Sequence, residues 1–152
     1  MRKGKYLIIL LIIVLDQIVK ALTRSALNVG ESVDVIGKVL SFTYVQNTGA
    51  AFSMLSGTGW LLILLPIVLI LFGFFYLMKH PKEHWTLPLA VSLAIGGGIS
   101  NLIDRIAFGY VTDMIDVHFW PVFNVADIAI CVGCGILIIY ILRFSDSKEK
   151  NI

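Results

Sequence analysis

Four largely apolar runs of 18 to 20 residues constrain this chain more than any other feature, at 6–23, 60–78, 86–103 and 123–142. Each is long enough, at a rise of 1.5 Å per residue, to cross about 30 Å of hydrocarbon. In lipid a spanning segment has to satisfy its own backbone hydrogen bonds, so runs of this length become helices. With 58% of residues hydrophobic and only 14% charged, a water-soluble domain could not hide the surplus. The expected fold class is an all-α membrane protein: four transmembrane helices in one domain covering residues 1–152.

The first run follows a basic Met1–Lys5 stretch, which invites comparison with a secretory signal peptide. Asp16 and Lys20 lie within the same helical pattern, and no small-x-small cleavage site follows. An uncleaved helix is the better reading, with the i,i+4 pair Asp16–Lys20 partly self-neutralising. Residues 28–56 change character. Val33, Val35, Leu40, Phe42 and Tyr44 alternate with polar neighbours, and Gly30 and Gly37 mark turns. Two or three short strands are expected there, outside the bilayer core, as a small extracytoplasmic platform. A short interfacial helix is expected at 47–55, a plain loop over 105–121, and a disordered charged tail after Arg143. Gly96, Gly97 and Gly98 would allow close approach in the third span.

Eight of the twelve lysines and arginines fall at the N-terminus, in the 79–85 turn and in the tail. The positive-inside rule places these segments, and both termini, in the cytoplasm. A net charge of +2, without basic clusters among aromatics, speaks against a nucleic-acid partner. Cys131 and Cys134 form a CVGC pattern within an apolar run. No second ligand pair accompanies them, so they read as small helix-packing residues.

Set against this apolar background, 96–127 carries Asp104, Asp113, Asp116 and Asp127, with Arg105 and the amides Asn101 and Asn124. A carboxylate at mid-membrane costs roughly 2.5–3.5 kcal/mol on insertion scales, so such residues seldom persist without a task. With both termini inside, Asp104 and Asp127 come to the outer membrane boundary, Asp127 about 6 Å below its helix end. Two neighbouring carboxylates hold one proton between them, and such a pair can activate water. His80 and His84 lie on the wrong side and His118 stands alone; no serine-hydrolase, zincin or P-loop motif occurs. An aspartic hydrolase would need no metal and no cofactor.

The chain resembles the prolipoprotein signal peptidases (signal peptidase II). The match runs through DQIVK at 16–20, NTGAAF at 47–52, NLIDR at 101–105, VTDMID at 111–116 and FNVAD at 123–127. The resemblance implies a catalytic dyad of Asp113 and Asp127, with Asp116 outside the site. It implies substrate-binding or supporting roles for Asp16, Lys20, Asn47, Gly49, Asn101, Asp104, Arg105 and Asn124. Ser100 stands where glycine is usual in the family, and Gly98 where alanine is frequent. The implied function is an intramembrane aspartic endopeptidase of the bacterial cytoplasmic membrane. It would remove signal peptides from diacylglyceryl-modified prolipoproteins before the lipidated cysteine, with membrane lipid around it, as a monomer. The alternative is a proton-coupled transporter or channel, in which acids would be spread through the bilayer depth; only Asp16 reads as deep.

Overall fold

The structure is a computed structural model that describes residues 4–49, 59–80 and 84–149, with side chains as far as Arg143. The expected 47–55 helix falls mostly outside these residues. Among the described residues four helices form: α1 (Gly4–Ala26), α2 (Leu61–Lys79), α3 (Thr86–Phe108) and α4 (Val125–Glu149). All four contain a stretch long and apolar enough to cross a membrane. In α1, Leu7, Leu10, Leu11, Val14 and Leu22 point outward, whereas Asp16, Lys20 and Thr23 are buried. This inverts a soluble helix, as lipid solvent requires, because there the polar side chains need protein partners.

Helix α3 is the axle, packing on α1, α2 and α4. Its glycines make this possible. A Cβ on Gly97 would lie 2.4 Å from the backbone oxygen of Ala126 in α4, and one on Gly96 would lie 3.0 Å from Ile12 Cβ in α1. From α4, Gly133 returns the contact, with its would-be Cβ 2.6 Å from Ala90 O. Gly98 is different: its nearest neighbour is Ile70 at 3.4 Å, an ordinary contact. The packing role expected of Cys131 and Cys134 is not what the structure shows. Both thiols are exposed, and Gly133 between them makes the close approach. At the other end of the bundle, Ile9, Leu77 and Ile95 form a small core, and Lys5 Nζ donates to Leu77 O near the C-terminus of α2. A cation there suits the helix dipole.

Beyond the bundle lies a three-stranded antiparallel sheet ordered β1 (Ser32–Ile36), β2 (Leu40–Asn47) and β3 (Val111–Asp116). Two strands fall in the expected region. The third comes from the stretch read as a loop, and its pairing of Asp113 with Val45 and Val111 with Asn47 joins segments some 66 residues apart. Local pattern cannot show such a pairing. Three boundaries also move. Helix α3 runs past Ile103 to Phe108 and stops at Gly109 (φ +79°), whose N–H bonds to Arg105 O as a left-handed C-terminal cap. Helix α4 starts at Val125 rather than Phe123, which instead bridges to Ile115. The same helix continues to Glu149, where the sequence suggested an unstructured tail.

Candidate active site

The site is assembled where the first turn of α4, the outer end of α3 and strand β3 meet. Asn124 is the residue before α4. Its Oδ1 accepts the N–H of Asp127 at 2.9 Å, while Asp127 Oδ2 accepts the N–H of Asn124 at 3.2 Å. This reciprocal capping box starts the helix and aims Asp127 at the same time. Asp127 is therefore the third helical residue, closer to the helix end than the 6 Å expected. The Asn124 amide still has two protons to donate: one goes to Asp113 Oδ1 at 2.6 Å, the other to Asn101 Oδ1 at 3.1 Å. One side chain thus caps the helix and connects the two aspartates.

Each aspartate receives an amide from a second element. Asn47 Nδ2 of β2 donates to Asp113 Oδ2 at 2.9 Å, and Asn101 Nδ2 of α3 donates to Asp127 Oδ1 at 2.8 Å. Asn47 is itself oriented by Gly49, whose N–H bonds Asn47 Oδ1 at 2.9 Å with φ at +72°. Asp113 is buried, and burial is the main reason its carboxyl is pushed up to about 6. The two amide donors act in the opposite direction, and the charge of Asp127 adds to the rise. Burial outweighs the hydrogen bonds, so Asp113 keeps a proton to higher pH than an ordinary aspartate.

Behind the aspartates is a second polar layer with no water access. Asp16, Lys20 and Asp104 are 0% exposed. Lys20 Nζ lies 2.8 Å from Asp16 Oδ2, 3.4 Å from Asp104 Oδ2 and 2.8 Å from Asn101 Oδ1. Asp16 also accepts Ser100 Oγ–H at 2.6 Å and the N–H of Ala126 at 2.9 Å. Asp16 pairs with Lys20 as expected, but it is not deep: it is held against the first turn of α4, level with the other acids. Asp104 Oδ2 accepts the N–H of Thr112 at 2.8 Å, tying α3 to the strand that carries Asp113. Ser100 fills its position with two useful bonds, the second from Gln17 Nε2 at 3.0 Å.

Alternation along β3 turns Asp116 to the opposite face from Asp113. There it accepts Thr43 Oγ1–H at 2.9 Å and the N–H of His118 at 2.8 Å, which hold its carboxyl below the usual range. His118 is not alone, since its Nε2 lies 3.1 Å from Ser41 Oγ. Two supporting residues escaped the sequence reading. Gln17 Nε2 donates to Asp104 Oδ1 at 3.0 Å, and Arg24 lies 3.7 Å from the same oxygen while donating to Thr112 Oγ1 at 2.9 Å. Arg24 continues the i,i+4 ladder Asp16–Lys20–Arg24, a spacing that could have revealed it.

Below the carboxylates runs an apolar groove of about 810 Å³ between α2, α3 and α4. Helices α2 and α4 stand apart across it. It extends from Asn101, Arg105 and Asp127 at one end to Leu87 and Tyr140 at the other, about 27 Å of helix. Among the described residues no group of three or more His, Cys, Asp and Glu side chains is placed to hold a metal ion.

The family model for signal peptidase II matches residues 8–143. The chain belongs to the signal peptidase II family. A lipoprotein signal peptidase of Halothermothrix orenii is 44% identical over 136 residues, covering 90% of this chain and 93% of that one. One from Halalkalibacterium halodurans is 38% identical over 152 residues, with 96% and 97% covered. A solved bacterial membrane enzyme superposes with a TM-score of 0.87 at 29% identity, covering 95% of this chain and 91% of that chain. Membership makes the chain a membrane signal peptidase, a protease.

Proposed function

We propose that this chain is an aspartic endopeptidase that cleaves diacylglyceryl-modified prolipoproteins before the lipidated cysteine, using Asp113 and Asp127 as its catalytic pair. The observation that carries the proposal is the groove. It is apolar, open to the side and spans most of the bilayer depth, and it ends at Asp127. A membrane-embedded signal peptide fits such a channel, and its end would lie at the carboxylates. A soluble peptide would have no reason to enter it. Acids gathered at one level, with no ladder down the groove, favour hydrolysis over ion transport.

In this mechanism Asp127 takes a proton from a water molecule, and Asp113, which retains its own proton, donates it to the scissile carbonyl oxygen. Water oxygen bonds to the carbonyl carbon to give a tetrahedral diol. The C–N bond then breaks as Asp127 returns its proton to the leaving amine and Asp113 recovers one from the diol. Asn124 would hold the pair in register throughout. The lysine and arginine distribution supports cytoplasmic termini and a site at the outer face.

The direct test is incubation of purified enzyme with a lipidated prolipoprotein and with its unlipidated form. A size shift confined to the lipidated substrate, with the new N-terminus at the modified cysteine, is expected. Equal cleavage of both would overturn the substrate assignment.

A further inference from the structure

Arg105 stands out among the polar groups around the aspartates. Lys20, Arg24, Gln17 and the three asparagines all have hydrogen-bond partners, as do Asp16 and Asp104. The Arg105 guanidinium is half-buried and lines the groove beside Asp127, yet among the described residues it makes no hydrogen bond or ion pair. The carboxylates of Asp127, Asp113 and Asp104 act on it only through space. A guanidinium offers five N–H donors in a fixed fork suited to a carboxylate. Leaving these donors unpaired at the head of an apolar groove is unfavourable, and an anion arriving there would relieve it.

We propose that Arg105 binds the α-carboxylate created when the signal peptide is cut, and so holds the cleaved peptide in the groove as a product inhibitor. This rests on the reading of the groove and aspartates given above. Hydrolysis places a water oxygen on the former carbonyl carbon, converting a neutral amide into a carboxylic acid. With an ordinary pKa of about 3.5, that acid is ionised at neutral pH. The new charge appears beside Asp127 and is repelled by it. Arg105, lining the same end of the groove, is the countercharge within reach. The substrate carries no such charge at that carbon, so the contact favours product over substrate. Release of the peptide then opposes turnover, and prompt removal of the product from the membrane by another hydrolase would speed it.

The test needs no turnover. A fluorescently labelled lipoprotein signal peptide is prepared with either a free C-terminal carboxylate or a carboxamide. Each is titrated against detergent-purified wild-type enzyme, Arg105→Gln and Arg105→Lys. In wild type the acid should bind about tenfold more tightly than the amide, as suits a charged hydrogen-bonded pair. Arg105→Gln should lose this preference while keeping amide affinity, and Arg105→Lys should retain part of it. Equal binding of acid and amide by wild type would overturn the proposal. So would a preference that survives Arg105→Gln, or an equal loss of both affinities in that variant, which would mark a purely structural role. Failure of the aspartic mechanism would show instead as cleavage by Asp113→Asn, leaving these affinities unchanged.

Discussion

Asn124 Nδ2 donates to Asp113 Oδ1 at 2.6 Å, and the same residue caps the helix turn that carries Asp127. The two aspartates therefore cannot be placed independently, since one amide sets both. Their chemical roles remain separable by substitution. Asp113→Asn and Asp127→Asn should each lower cleavage at least a thousandfold, because an amide can neither take a proton from water nor supply one. Both variants should insert and fold, the amide being isosteric. Asp116→Asn, on the other face of β3, should keep most activity. A size-shift assay with the three variants decides it, and an inactive Asp116→Asn beside an active Asp113→Asn would reverse the assignment.

Asn124 invites a subtler change. Asn124→Asp keeps the acceptor that caps α4 but replaces the donor to Asp113 with a third carboxylate. Loss on the order of 100-fold in kcat is expected, with the thermal midpoint changed far less than by Asn124→Leu. Comparable activity for Asn124→Asp and wild type would reduce the residue to a helix cap.

The pH dependence follows from the burial of Asp113. Its carboxyl is pushed up to about 6 from an ordinary 3.8. The alkaline limb of kcat/KM should therefore fall near pH 6 or above, and the limb of kcat higher still, because bound substrate dries the site further. Stability carries the opposite lesson. A raised carboxyl pKa means that the neutral form fits the fold, so its contribution is complete below about pH 4 and is lost as pH rises through about 6. Asp113→Asn, which cannot titrate, should therefore lose less stability than wild type between pH 4 and pH 8, by about 3 kcal/mol at most. Thermal unfolding of both proteins across pH 4–8 checks the sign.

Asp16 tests the buried layer. It holds Lys20, Ser100 and the N–H of Ala126, so Asp16→Ala strands the Ser100 hydroxyl and the Ala126 N–H in a dry interior and takes from Lys20 its nearest carboxylate. Breaking a buried pair costs about 3–5 kcal/mol, which at this size corresponds to roughly 10 °C in apparent Tm. Activity should fall with it, because Ala126 adjoins Asp127. Lost activity at an unchanged Tm would instead mean that Asp16 meets the substrate.

Much of this was legible in the sequence because hydropathy is a local property. The four spans follow from run length alone, and Asp127 stands out as an acid inside an apolar run, whereas only the family resemblance separates Asp113 from Asp116. The family motifs singled out Asn47, Asn101 and Asn124, and the structure brings all three together around the carboxylates. What stayed hidden was non-local. Strand β3 exists because Val111–Asp116 pairs with β2, and nothing in VTDMID announces a partner so far away. Gln17 gains its meaning only when α1 lies against α3. Helix α3 runs five residues past the expected end at Ile103, to Phe108, and so takes in the charges of Asp104 and Arg105. Those charges are tolerated inside α3 because Lys20, Gln17 and the N–H of Thr112 meet Asp104, and Arg105 reaches the groove.

The adjacent glycines Gly97 and Gly98 give the sharpest packing test. A methyl group on Gly97 would enter the backbone of α4 at Ala126 O, which cannot yield without moving the turn that carries Asp127. Gly97→Ala should push α3 and α4 apart, costing about 1–3 kcal/mol as overpacking and far more in activity, because a displacement of about 1 Å at the reacting groups can cost 100-fold. A methyl on Gly98 meets only Ile70 in the groove wall at 3.4 Å. Gly98→Ala should be stable and active, with helix propensity favouring alanine by up to about 1 kcal/mol. Thermal midpoints and cleavage rates of the two variants, measured side by side, should diverge in this order. If Gly97→Ala matched Gly98→Ala in both, the close approach of α3 to the first turn of α4 would not be what positions Asp127.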